Sequence, residues 1–170
     1  MVIIAMGVSG SGKTHVGTLL AERLDAPFYD ADDFHPPRNV KKMQQGQPLN
    51  DADRLPWLTS LADKITEWNA QGGAVLACSA LKKSYRVQLS ADYSANVRFA
   101  YLKGSKELIL NRMLARDHFF PPELLDSQFA DLEEPGSSEP GSDESQHTIV
   151  VSSERLPEEM VDEIVERLGK

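Results

Sequence analysis

One cysteine, Cys78, is the whole thiol content of the 170 residues. That excludes an internal disulfide and any cysteine-rich zinc site. Long apolar runs are also missing, since none approaches the roughly 20 residues that span a bilayer. The apolar opening "MVIIAM" has no basic residues ahead of it and runs straight into a glycine cluster. It does not read as a signal sequence, because cleavage there would destroy the motif that follows. These gaps point to a cytoplasmic protein with no membrane partner. An excess of positive charge is absent too, the net formal charge being −8. Residues 131–170 hold 12 acidic against 3 basic side chains, and residues 1–130 hold 14 against 15. A near-neutral body with an acidic end lacks the basic face that general nucleic-acid binding needs. Small anionic ligands stay compatible. With 41% hydrophobic and 26% charged residues, the chain suits one folded domain over 1–170 rather than a disordered one.

What the chain does contain is alternation. "VIIAM" (2–6), "AVLACS" (74–79), "VRFAYL" (97–102) and "TIVVS" (148–152) are short continuous apolar runs, the pattern of strands buried on both faces. Helical patterns lie between them. "VGTLLAERL" puts Val16, Leu19, Leu20 and Leu24 on one face, and "PWLTSLADKITEW" does so with Leu58, Leu61, Ile65 and Trp68. "ELILNRMLAR" and "PEEMVDEIVERL" read as further helices. Strands alternating with helices predict an α/β fold with a central parallel sheet covered on both faces. The stretch "EEPGSSEPGSDESQ" (133–146) is low in complexity and predicts a mobile, solvated acidic loop.

Residues 7–14, "GVSGSGKT", follow the first predicted strand and open the first helix. They fit G-x-x-x-x-G-K-[ST], a phosphate-cradling P-loop. Backbone N–H groups and the helix dipole favour an anion there. Gly7, Val8, Ser9, Gly10, Ser11, Gly12, Lys13 and Thr14 are thus the candidate ATP-binding residues. Lys13 supplies a positive charge to the transferring phosphate, and Thr14 a hydroxyl for Mg²⁺. The guanine-reading N-K-x-D and the switch motif D-x-x-G of GTPases do not occur. "VLACSALKK" also carries no Walker-B aspartate. A small kinase with a small acceptor is what these exclusions leave.

Acceptor chemistry is sought after the first helix, in "FYDADDFHPPRN". Clustered carboxylates at a strand end repel unless a cation or substrate compensates. Asp30 can hold Mg²⁺ through water, and Asp32 can take the proton of an attacking hydroxyl. Helix capping by Asp32 or Asp33 is the competing reading, and for His35 a structural His-Pro turn competes with a ligand role. Arg54, just ahead of the helix at "PWL", is either a surface ion pair or a clamp for a carboxylate. Ser79, Lys82, Lys83 and Arg86 follow a buried strand, where open α/β sheets bind ligands. Arg112 and Arg116 are four apart and share a helix face. Solvation of that face would explain them; in small P-loop kinases such a pair resembles one arginine on the adenine and another on the phosphates. That makes both candidates for ATP binding and Arg116 a candidate for catalysis. "DHFFPPELL" then predicts a water-excluding lid over about 117–132.

"GVSGSGKT", "DADDFHPPRN", "PLNDADRLPWL", "ACSALKKSYR" and "HFFPPELLDSQFADLEEP", in this order over nearly the whole chain, resemble the gluconokinase family. The resemblance implies ATP and Mg²⁺ as cofactors, D-gluconate as acceptor and 6-phosphogluconate as product. It also implies the three-layer fold of the shikimate- and nucleoside-monophosphate-kinase group, with a lid and commonly a homodimer. Asp32 becomes the contact to the reacting hydroxyl, and Arg54, Lys82, Lys83 and Arg86 become candidates for the substrate carboxylate and in-flight phosphate. A shikimate kinase would carry a Gly-Gly-Gly run where this chain has "SALKK". A nucleotide-gated binding module without acceptor chemistry would not need the D-x-D.

Overall fold

Parallel pairing puts the ends of the apolar strands on one edge. The computed structural model describes residues 1–93, 96–115, 122–135 and 142–169. Strands β1 (Val2–Met6), β2 (Phe28–Asp30), β3 (Ala74–Ala77), β4 (Val97–Lys103) and β5 (Thr148–Ser152) form one sheet in the order β2-β3-β1-β4-β5. Every pairing is parallel. Helix α1 (Lys13–Leu24) follows β1, and a 3₁₀ turn (Ala31–Phe34) follows β2. Next come α2 (Pro37–Gln44), α3 (Asp51–Ala70) and, after β3, α4 (Lys83–Leu89). Between β4 and β5 lie α5 (Lys106–Ala115), α6 (Pro122–Asp131) and α7 (Asp143–Gln146), and α8 (Pro157–Arg167) closes the order.

Successive strand side chains point to opposite faces, so the sheet builds two cores. Val2, Ile4 and Met6 of β1, with Leu76 and Phe99, pack against Leu58, Leu61, Ile65 and Trp68 of α3. Ile3, Val75, Ala100 and Leu102 pack on the other side against Val16 and Leu20 of α1 and Met160 and Ile164 of α8. This is the three-layer α/β arrangement expected of a P-loop kinase. A smaller cluster of Val8, Leu81, Ile109, Met113 and Leu125 seats α5 and α6 against the glycine-rich loop.

One boundary differs from expectation. Helix α3 begins at Asp51, five residues before Pro56, because Asn50 forms a capping box with Asp53. Pro56 is carried inside the helix. Arg54 is therefore on the first turns of α3 rather than ahead of it.

Candidate active site

The loop leaving β1 needs glycine for two separate reasons. Gly7 has φ 145°, and a Cβ there would sit 2.8 Å from Ser11 Oγ and 3.0 Å from Leu102 O. Gly12 caps α1 with φ 100° in the left-handed region. The Gly7 N–H donates to Ser79 O (3.3 Å), tying the loop to the end of β3. Lys13 Nζ folds back to donate to Val8 O at 3.0 Å. Burial lowers the Lys13 pKa, while Asp32, Cys78 and Asp30 act the other way. A cleft of about 410 Å³ lies here, lined by Gly10, Gly12, Lys13, Thr14 and Arg112, with His15 and Thr18 also in its wall. Arg112 is anchored by donating to Ser153 O at 2.5 Å. Arg116 lies outside the described residues, as do 117–121 of the expected lid. His15 and Thr18 were not singled out from sequence, although Thr18 is one turn from Thr14 and repeats its face.

Asp30 links two elements at the end of β2. Its Oδ2 accepts from Thr14 Oγ1 at 3.2 Å, and its Oδ1 accepts from the Asp32 N–H at 3.1 Å. The cap of the 3₁₀ turn is thus Asp30, and neither Asp32 nor Asp33 performs it. Asp32 points a carboxylate that is 84% exposed, with one oxygen 3.8 Å from His35 Nε2. Its pKa is raised, by desolvation and then by the Asp30 charge. Because water still reaches so exposed a carboxylate, the Asp30 repulsion is the cause that carries weight. His35 is only 5% exposed and stacks on Trp57 with ring centroids 4.3 Å apart. Its pKa is lowered by burial, with Asp32 and Arg54 pulling in opposite directions. Asp32 and Arg54 thus both act on the ring, joining the phosphate side to the basic side.

On that basic side Arg54 Nη1 donates to Tyr85 Oη at 3.2 Å, and Tyr85 in turn donates to Asp51. Lys82 Nζ reaches the same Asp51 carboxylate at 2.9 Å. Both cations lie over the Tyr85 ring, 5.7 and 5.6 Å from its centroid. Asp131 of α6 is 4.0 Å from each of them. Tyr85's hydrogen bond and the Lys82 charge hold the Asp51 carboxyl below its usual range. The exposed Lys83 joins through its backbone N–H, which donates to Glu133 Oε2 at 2.5 Å. Ser79 contributes its carbonyl to Gly7. Sequence reasoning did not pick out Tyr85, Asp51 or Asp131. The available signal was that "KKSYR" sets Tyr85 four residues before Leu89, on the inward-facing side of the helix.

Arg86 is not part of this surface. It is fully buried, and it pairs with Glu144 at 2.8 Å while donating to Ala80 O, Leu81 O and Glu133 O. Helix periodicity turns Tyr85, Arg86 and Leu89 inward and leaves Lys83 out. The guanidinium is a strut under the 79–82 loop, so its assignment to substrate is corrected. The same pair corrects part of the expected mobile loop, because Glu144 is buried on α7 and Tyr93 Oη donates to it at 2.9 Å. Residues 136–141 of that loop lie outside the described residues. Glu144→Gln keeps an acceptor but removes the charge that compensates Arg86. It is expected to lower stability by about 1–3 kcal/mol, or some 2–4 °C per kcal/mol in a chain of about this length. Thermal unfolding that matches the parent chain would show the pair contributes nothing net.

A family model described as shikimate kinase matches residues 9–169. The gluconokinase of Gluconobacter oxydans (strain 621H) is 46% identical over 165 residues, covering 96% of this chain and 88% of that protein. The thermoresistant gluconokinase of Escherichia coli (strain K12) is 45% identical over 140 residues, covering 81% and 79% respectively. A crystal structure of a gluconokinase from Sinorhizobium meliloti 1021 aligns with a TM-score of 0.86 at 37% identity, covering 99% of this chain and 91% of that one. The shikimate-kinase model accounts for the shared fold, and the identities to gluconokinases are specific to one branch of it. With its glycine loop, its Asp30–Asp32 pair and these relatives, the chain belongs to the gluconokinase family of P-loop kinases.

Proposed function

We propose that this chain transfers the γ-phosphoryl group of ATP to the 6-hydroxyl of D-gluconate, yielding 6-phospho-D-gluconate and ADP. The observation that carries the reading is the line from Lys13 through Asp32 and His35 to Arg54 and Lys82. A phosphate site and a carboxylate base run into a pair of cations suited to an acid substrate. Phosphoryl transfer asks the protein mainly for position and charge. The acceptor oxygen forms the new O–P bond as the bond between the γ-phosphorus and the β,γ-bridging oxygen breaks. Its proton passes to Asp32, and Lys13 with the loop N–H groups holds the charge on the phosphate oxygens. Asp32's raised pKa brings the base nearer to the working pH.

Thr14 Oγ1 and the Asp30 carboxylate, 3.2 Å apart, fit a hard cation that takes most of its ligands from phosphate and water. Among the described residues no cluster of three His, Cys, Asp or Glu offers a dedicated cage. Mg²⁺ suits such a partial site, and when bound it neutralises phosphate charge. In this reading the lid covers about residues 117–132 and therefore includes α6. A homodimer and a cytoplasmic location belong to the same reading, the first checked by light scattering of the pure chain.

ADP release with ATP and Mg²⁺ is expected with gluconate and not with shikimate, a nucleoside monophosphate or no acceptor. Turnover on shikimate alone would overturn the reading. Arg54→Lys tests the carboxylate clamp, since a lysine cannot reproduce a bidentate fork. Losing a charged hydrogen bond costs about 1.5–3 kcal/mol, and each ~1.4 kcal/mol is tenfold in rate. The expected fall in kcat/KM for gluconate is about ten- to hundredfold on that scale, with the KM for ATP little changed. A variant that loses ATP affinity and keeps gluconate kinetics would move Arg54 to the nucleotide side.

A further inference from the structure

Helix α6 touches both halves of the site, and one of its side chains holds the phosphate loop directly. The Ser9 N–H donates to Gln128 Oε1 at 2.6 Å, and Gln128 Nε2 donates to Ser9 Oγ at 2.9 Å. A backbone N–H can only donate, so the amide is oriented without ambiguity: its oxygen faces Ser9 N and its nitrogen the hydroxyl. Ser9 is the third position of the eight-residue glycine-rich loop, Gly7 to Thr14, that the proposed reading assigns to the phosphates. Both polar groups of Ser9 are thereby engaged by an element 119 residues away in sequence. The contact has solid backing, because Leu125 of α6 is fully buried against Val8, Leu81, Ile109 and Met113. Three residues beyond Gln128, Asp131 lies 4.0 Å from both Arg54 and Lys82.

We propose that Gln128 is a positioning residue that holds the phosphate loop at Ser9, making α6 a brace between the nucleotide side and the acceptor-side cations. A loop that must be ordered at each turnover loses both affinity and rate, whereas a loop already held presents its donors in place. Gln128 does not touch the reacting atoms in this scheme. It acts through Ser9. Packing cannot substitute for the amide, because an apolar side chain of the same length fills the space but leaves the Ser9 N–H and hydroxyl without their partner.

The inference rests on the gluconokinase reading for its assay, so one arm is independent of acceptor. Gln128→Met keeps length and packing. It is expected to weaken binding of a non-hydrolysable ATP analogue severalfold and to lower kcat about tenfold or more, with the KM for gluconate within about twofold of the parent value. Ser9→Ala, which removes the hydroxyl half, should cost less alone and nothing further in the Gln128→Met background, because the two groups form one interaction. Parent-like analogue binding and kcat in Gln128→Met, or losses that simply add in the double variant, would overturn the proposal. A parent enzyme inactive on gluconate would instead count against the functional reading, and analogue binding would still decide the role of Gln128.

Discussion

Lys13→Met is expected to lower kcat for gluconate phosphorylation by about a hundredfold or more and to leave the fold standing. The rate loss follows from where the charge sits. Lys13 is the first residue of α1, at the end of the loop proposed to receive the phosphates, and its half-buried ammonium is partly desolvated. Charge fixed in such a place acts on the transferring group more strongly than it would in water, and at no reorganisation cost. Methionine has nearly the same reach and no charge. The fold survives because the ammonium's hydrogen bond to Val8 O is not that carbonyl's sole interaction among the described residues. Val8 O also accepts from the Ser11 N–H at 3.2 Å, so it is not orphaned. Gly7, Gly10 and Gly12 keep their backbone geometry, since none depends on the lysine side chain. The measurement is steady-state kinetics at saturating ATP and gluconate, paired with a thermal unfolding curve. A folded Lys13→Met variant with near-parent turnover would remove Lys13 from the reaction.

The sheet was legible because its information is local. β1 and β5 match "VIIAM" and "TIVVS" residue for residue. Only β1 is buried on both faces as its apolar run predicted, whereas β5, at the sheet edge, buries Ile149 and Val151 and leaves Val150 and Ser152 exposed. The α3 face was legible for the same reason: Leu58, Leu61, Ile65 and Trp68 are all buried as their spacing predicted. Its start was not, because Asn50 and Asp53 look like any polar pair until their reciprocal hydrogen bonds are seen. The glycine loop was legible as a motif. What held it was not, because Gln128 is distant in sequence and carries no periodic signal. Arg86 shows the limit most clearly. Its neighbours Lys82 and Lys83 suggested a basic surface, yet the partner that draws Arg86 inward, Glu144, lies 58 residues on within an apparently featureless acidic stretch. Residue type predicts that a buried arginine needs an acid; it does not say which one, nor that the arginine is buried.

Asp32→Asn should bring gluconate turnover down by about 10²–10⁴-fold, the range for removing a general base, while ATP still binds. The substitution is informative because the structure separates the two roles that sequence left open. A capping aspartate would accept backbone N–H groups from its own turn, and asparagine caps almost as well. Here that duty falls to Asp30, which accepts from Asp32's N–H, and Asp32's carboxylate is left largely in solvent beside the His35 ring. Asparagine at position 32 therefore has no structural bond to lose. Electrostatics point the same way, since Asp30 and Asp32 repel each other and an uncharged amide relieves that strain. Stability should hold or rise slightly. ATP affinity should also hold, because the negative charge removed from near Lys13 opposed the incoming phosphates rather than helping them. Only the proton acceptor is gone. Asp33→Asn, one residue along and exposed, serves as the control for a change of charge without loss of the base. The experiment measures kcat and both KM values for the two variants beside binding of an ATP analogue. A parent-like kcat in Asp32→Asn would mean that the hydroxyl loses its proton elsewhere, and Asp32 would then have no part in the chemistry.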